Sequence, residues 1–258
     1  MNGRRWVAGG VLGLAMLACA GARAETLIIQ GDVWCPVNCN EKDEQPGIFV
    51  ELAREIFAEA GIEVEYRTTN WARAVQDVRS GRVNGLIGAG VRDAPDLMFG
   101  KEAAGVSRMC FYAREENPWR YTDMASLEHV RLGAINGYSY GEEIDHFIEQ
   151  HHSHMDHLQM ASGEQGLAQN VRKVELGRLD ITVENTWVMA NFLSRHDTGA
   201  DLIEVGCRAG DLPIYIAFSP VLPTSARYRD IFDEGLRRYR ENGHMDAILL
   251  RYGIKHGQ

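Results

Sequence analysis

The chain has 258 residues, room for one large domain or two smaller ones. Hydrophobic residues make up 45% and charged residues 24%, a globular composition that excludes disordered, collagenous and low-complexity chains. Asp and Glu outnumber Lys and Arg 36 to 27, giving a net charge of −9. With no cationic surplus to neutralise phosphates, nucleic acid is not an expected partner.

The first element predicted is an address. Arg4 and Arg5 precede the apolar run Trp6 to Cys19, and Ala22-Arg23-Ala24 ends in a small-x-small pattern before Glu25. This predicts a cleaved secretory signal over residues 1–24 and a periplasmic mature protein. The run is shorter than the ~20 residues a spanning helix needs, which ranks a membrane anchor second. Met16-Leu17-Ala18-Cys19 is a poor lipoprotein box, so lipidation at Cys19 is a minor alternative. Cleavage removes Arg4, Arg5 and Arg23 and no acid, which makes the mature chain more acidic still. No later stretch reaches membrane length. Export makes disulfides possible. Cys35 and Cys39 flank Pro36 and predict a local bridge, whereas a zinc site would need four converging ligands. Cys110 and Cys207 are either a second bridge or buried thiols.

After the signal, Leu27-Ile28-Ile29 reads as a buried strand and 31–46 as a polar, turn-rich loop. Phe49, Leu52, Ala53, Ile56, Phe57 and Ala60 recur at helical spacing on one face, and Gly61 stops that helix. Glu63 to Arg67 alternates about Val64 and Tyr66, a strand. Asn70 caps a second helix, Trp71 to Ser80, whose Trp71, Ala74, Val75 and Val78 face inward. Val83 to Gly88 is the next strand. The first third thus reads β-α-β-α-β, parallel strands with helical crossovers. A second unit follows Pro118: strand Val130 to Ile135, the turn 137–141, helix Glu142 to Gln150, helix Leu167 to Leu176 and strand Leu179 to Val183. Ile214 to Phe218 is a strand, and two amphipathic helices, from Arg227 to Glu241 and from Met245 to Tyr252, close the chain.

Two α/β units joined by extended segments near 108–117 and 205–217 predict two doubly wound lobes with a two-strand hinge. The boundaries expected are 25–113 with 213–258 for the first lobe and 114–212 for the second. Open parallel sheets bind ligands at the carboxyl ends of their strands. The loops after Ile29, Arg67, Gly88, Ile135 and Val183 should therefore open onto one cleft.

Several segments resemble the bacterial extracellular solute-binding proteins of family 3. Pro46-Gly47-Ile48-Phe49-Val50-Glu51-Leu52-Ala53 is similar to the family's first helix, and Trp71-Ala72-Arg73-Ala74 with Ser80-Gly81-Arg82-Val83-Asn84 to its second. Arg92 to Phe99, Leu132 to Gly137, Gly177 to Asp180, Asn242 to Asp246 and Arg251-Tyr252-Gly253 match later landmarks in order. The resemblance spans nearly all of 25–258. It implies a type 2 periplasmic-binding fold, a monomer that captures a small polar or zwitterionic, amino-acid-like solute without a cofactor, and delivery to the permease of an ABC transporter. In amino-acid-binding members an Arg of the first lobe pairs with the ligand carboxylate, and Arg92 resembles it. An Asp of the second lobe often holds the ammonium, and the matching position is Asn185, with Glu184 beside it. Gly137, Tyr138 and Ser139 occupy a turn at a helix start, where backbone N–H groups and hydroxyls suit an anion.

Each candidate has a plainer reading. Arg92 could be an ion-pair partner of Asp93 or Asp96, and Arg73 could face solvent. Trp34, Trp71, Tyr138 and Tyr140 could cover core rather than stack a ligand. Ser139 could cap its own helix, and Asp32 could be only a turn residue. His146, His151, His152, His154 and His157 could bind a divalent metal weakly, but a solvated helix end is preferred and no metal is expected. The enzymatic alternative is a cyclohexadienyl-dehydratase-like activity on this scaffold, with Glu184 as acid or base. The other alternative is a ligand-sensing module for a membrane receptor.

Overall fold

The computed structural model describes residues 25–196 and 201–254. The expected signal, residues 1–24 with Cys19, lies outside the described residues. Among those described, no helix is long and apolar enough to cross a membrane.

The first lobe opens with β1 (Glu25–Gly31), α1 (Ile48–Glu59), β2 (Ile62–Thr68), α2 (Trp71–Arg79), β3 (Gly85–Ala89) and β4 (Gly105–Ser107). Helix α1 buries Ile48, Phe49, Val50, Leu52, Ala53, Ile56 and Phe57, a wider stripe than its strict periodicity requires. Strand β2 buries Ile62, Val64 and Tyr66 and turns Glu63 and Glu65 outward. Asn70 caps α2, its side chain accepting from Arg73 N–H at 2.9 Å.

The chain then enters the second lobe: β5 (Met109–Arg114), a 3₁₀ turn (Met124–His129), β6 (Leu132–Ile135), α3 (Glu142–His151), β7 (Leu158–Ala161), α4 (Gly166–Glu175), β8 (Ile181–Asn185), α5 (Thr186–Arg195) and β9 (Leu202–Cys207). It returns through β10 (Leu212–Phe218) to α6 (Ser225–Glu241) and α7 (His244–Arg251). Both closing helices pack on α1. Phe57 stacks on Phe232 at 6.0 Å and meets Tyr228 edge-on at 5.9 Å.

The two five-stranded sheets are ordered β2-β1-β3-β10-β4 and β7-β6-β8-β5-β9. In each, three parallel strands are followed by an antiparallel strand that enters from a crossing between the lobes. The first crossing is at Arg108, between β4 and β5, and not at the expected boundary of 113. Strand β5 pairs with β8 from Met109 to Tyr112, which commits it to the second sheet.

Both cysteine pairs are bridged. Cys35–Cys39 closes the loop after β1. Cys110–Cys207 ties β5 to β9, where the two residues stand opposite each other in register. The alternative left open for the second pair is thereby settled as a bridge.

Gly47, the residue before α1, has φ of 116°, in the region that favours glycine. A Cβ there would sit 2.6 Å from Asn38 Cα and 2.7 Å from the Val37 carbonyl, both backbone atoms. Gly47→Ala is expected to cost about 3 kcal/mol, through strain plus displacement of the Cys35–Cys39 loop. Denaturant unfolding checks this, and a loss below about 1 kcal/mol would contradict it.

Candidate functional site

A cavity of about 260 Å³ lies between the lobes, at the carboxyl ends of the parallel strands. The loop after β1 supplies Asp32, Trp34 and Asn38, the start of α2 supplies Trp71, and the loop after β3 supplies Gly88 and Gly90 to Asp93. Met109 on β5 and Tyr138 and Ser139 after β6 come from the second lobe, and the hinge strand β10 adds Leu212 to Tyr215.

Local structure explains these positions. The Cys35–Cys39 ring contains Asn38 and directly follows Trp34, and these two residues bond backbone to backbone, Trp34 N–H to the Asn38 carbonyl at 2.8 Å. Asn38 Nδ2 donates to the Asp32 carbonyl at 2.6 Å, which fixes the amide inside the loop.

The lobes touch through this lining. Trp34 Nε1 donates to Glu184 Oε1 at 3.0 Å, the Tyr138 hydroxyl donates to Asp32 Oδ2, and Ser139 N–H donates to Asp93 Oδ1 at 3.0 Å. Trp71 meets the Tyr138 ring edge-on at 6.1 Å. Arg92, half exposed, lies 3.6 Å from Glu142 and 3.5 Å from Asp145 across the cleft.

Three carboxyls here are harder to ionise than usual. Burial pushes Asp32 up to about 6, against the opposing pull of the Tyr138 hydroxyl. Burial raises Asp93 to about 7, against N–H bonds from Gly90 and Ser139 and with Asp145 and Asp32 adding repulsion. Burial raises Glu184 to about 7, against the Trp34 indole and the Asn185 N–H. The Tyr138 and Tyr140 hydroxyls are raised by burial and by nearby acids, and stay neutral.

Of the residues singled out in the sequence, Trp34, Trp71, Arg92, Tyr138 and Ser139 line the cavity. Glu184 is fully buried behind the Trp34 indole. Like Glu184, the residues Arg73, Gly137, Tyr140 and Asn185 do not line it. Arg73 lies two residues past Trp71, which turns it to solvent, 3.6 Å from Asp77. Gly137 borders a neighbouring groove with Asn136 and Met160. Asn185 caps α5, accepting from Trp187 and Val188 N–H, and donates to Ser107 Oγ at 2.8 Å. Tyr140 is fully buried, and its hydroxyl oxygen accepts from Ile135 N–H at 2.7 Å.

Sequence reasoning gave too little weight to three residues. Asp93 was overshadowed by Arg92, Asn38 was hidden inside the cysteine loop, and Asp32 followed a strand like any turn residue. The available signal was that all three sit in loops at strand carboxyl ends.

Three of the histidines meet one another: the His151 ring lies 6.2 Å from that of His154 and 5.3 Å from that of His157, and it also stacks on Phe147 at 4.1 Å. His146 Nε2 lies 3.0 Å from Gln150. Among the described residues the converging set of metal-type ligands is Cys110, Glu204 and Cys207, and its two thiols are consumed by the disulfide.

Two lobes of one sheet order, with a cavity at their facing strand ends, define a type 2 periplasmic-binding fold. The chain belongs to the bacterial extracellular solute-binding proteins, family 3, whose sequence profile matches residues 28–255. Among curated proteins no sequence matches it. Similar solved structures include a histidine kinase sensor domain with similarity to periplasmic binding proteins (21% identity, 89% of this chain and 96% of that one, TM-score 0.71). An ancestral arginine-binding protein bound to arginine is 15% identical, over 89% and 98% of the two chains, with a TM-score of 0.71. A structure concerned with glutathione import through GshT and the cystine ABC importer TcyBC of Streptococcus mutans is 14% identical over 89% and 95%, at 0.73. At these identities the likeness is one of fold.

Proposed function

We propose that the protein is a periplasmic solute-binding protein that closes its lobes on a small polar solute of amino-acid size and presents it to an ABC importer. The observation that carries this reading is the cavity between the lobes, whose lining residues also make the contacts between lobes: Trp34 to Glu184, Tyr138 to Asp32 and Ser139 to Asp93. A solute touching both walls shifts the population toward the closed form. Family membership and the likeness to a structure concerned with import support the transport role.

Thermal shift of the secreted protein against a library of small solutes tests this. A solute at 100 times its Kd adds about 2.7 kcal/mol, or roughly 5–10 °C for a chain of this size. The absence of any stabilising solute would overturn the reading.

Sensing is the second reading, favoured by the likeness to a kinase sensor domain. Loss of labelled-solute uptake in a deletion strain supports transport, whereas intact uptake with loss of a solute-dependent transcriptional response supports sensing. Glu184 is the group an enzyme would use, and arogenate or prephenate turnover abolished by Glu184→Gln would replace the binding reading.

A further inference from the structure

The hydrogen-bonding capacity left unmet around this cavity is on acceptors. Asn38 is fully buried and lines the cavity. Its Oδ1 has no partner among the described residues, while its Nδ2 is committed to the Asp32 carbonyl. Glu184 is also fully buried. Its Oε1 takes both the Trp34 indole at 3.0 Å and the Asn185 N–H at 2.7 Å, and its Oε2 is unpartnered. Asp32, 8% exposed, and the partly buried Asp93 add two carboxyls to the lining. Buried acceptors without donors are costly until a donor arrives.

The groups that would receive a ligand carboxylate are already occupied by acids of the protein. Ser139 N–H holds Asp93 Oδ1 at 3.0 Å. Asp145 takes the Ser139 hydroxyl at 2.6 Å and Tyr140 N–H at 2.7 Å. Arg92 is the cation among the described lining residues, and it faces Glu142 and Asp145. A carboxylate entering here would find its partners taken and acids on several sides. An ammonium or guanidinium would find acceptors, together with three aromatic side chains, Trp34, Trp71 and Tyr138, of the kind whose ring faces attract cations.

We propose that the solute is a small organic cation, an amine or guanidine without a carboxylate, held by Asp32, Asp93 and Asn38 against Trp34 and Trp71. This rests on the solute-binding reading and narrows its ligand class. The volume of about 260 Å³, below the ~300–1,000 Å³ of drug-sized pockets, suits a molecule of amino-acid size or less.

Calorimetry on the secreted protein at pH 8 tests the idea with pairs that differ by one carboxylate: agmatine and arginine, cadaverine and lysine, histamine and histidine, tyramine and tyrosine. A parallel panel holds neutral and anionic solutes. In at least one pair the amine is expected to bind ten-fold or more tightly than its parent amino acid. Asp93→Asn and, independently, Asp32→Asn should weaken that amine at least ten-fold while melting no lower than the wild type. If the amino acid is the tighter member of every binding pair, or if only the neutral and anionic panel binds, the cation proposal is overturned and the solute-binding reading stands. If nothing in either set binds, both are overturned. Unchanged amine affinity in both folded variants would remove Asp32 and Asp93 from the site and overturn the proposal as stated.

Discussion

The melting temperature of the solute-free protein is expected to fall by roughly 10 °C as pH rises from about 4.5 to 8. Asp32 titrates at about 6 rather than 3.8, Asp93 at about 7 rather than 3.8, and Glu184 at about 7 rather than 4.5. Each folded-state value lies above its unfolded one, so between about pH 4 and 7 the native protein binds more protons than the unfolded chain. Stability is then full below about pH 4 with respect to these groups and is lost as pH climbs through 7. A pKa unit is worth about 1.4 kcal/mol, so the three carboxyls together carry on the order of several kcal/mol.

The groups facing them do not reverse the sign. Asp32 meets the Tyr138 hydroxyl and, at longer range, Glu164. Asp93 meets two N–H groups, Asp145 and Asp32. Glu184 meets the Trp34 indole, the Asn185 N–H and Asp32. Glu25 is held down at about 2 by Arg227 and Tyr228, and it acts below the window in question. Scanning fluorimetry across pH checks the slope. Asp93→Asn should flatten it and raise the midpoint at pH 8, since a buried charge is exchanged for a neutral amide of the same shape. A melting temperature that rises across this range would contradict the account of the cavity carboxyls.

Breaking the Cys110–Cys207 bridge is expected to cost about 5 kcal/mol. The two cysteines are 97 residues apart, so the link removes a large loop-closure entropy from the unfolded chain. The Cys35–Cys39 link, only 4 residues apart, should be worth about 2 kcal/mol on the same reasoning. The double variant Cys110→Ala/Cys207→Ala should therefore melt ~10 °C lower, and the corresponding Cys35/Cys39 variant about half as far. Equal losses in the two variants would show that loop length does not govern the effect here.

Much of the fold was legible because the first lobe obeys simple periodicities. Helix α1 repeats its apolar residues at three and four, β2 alternates, and glycines follow both α1 and α2. Elements without a clean period were not seen. Helix α5, TWVMANFLSR, carries large apolar residues around much of its circumference, and it starts directly at the end of β8, where Asn185 was read as part of a cleft loop. Strands β4, β7 and β9 are 3, 4 and 6 residues long, and their pairing partners are remote in sequence.

At the site, strand order told which loops converge but not which side chain of a loop turns inward. Trp71 and Arg73 differ by two helix positions, and only the helix phase sends one to the cavity and the other to water. Asp32 and Asp93 are buried by contacts from the other lobe, through Tyr138 and Ser139, and no local pattern encodes that.

The interleaved strand order also sets a timetable. Strand β10 separates β3 from β4 in the first sheet, yet more than a hundred residues of second lobe are made between β4 and β10. During synthesis from the N terminus, β3 and β4 have no common neighbour until that last strand appears, and α6 and α7, which cover α1, come later still. Non-local pairing of this kind is slow to nucleate. A chain built this way completes its first sheet only when nearly all of it has been made, an order that suits the export proposed for it.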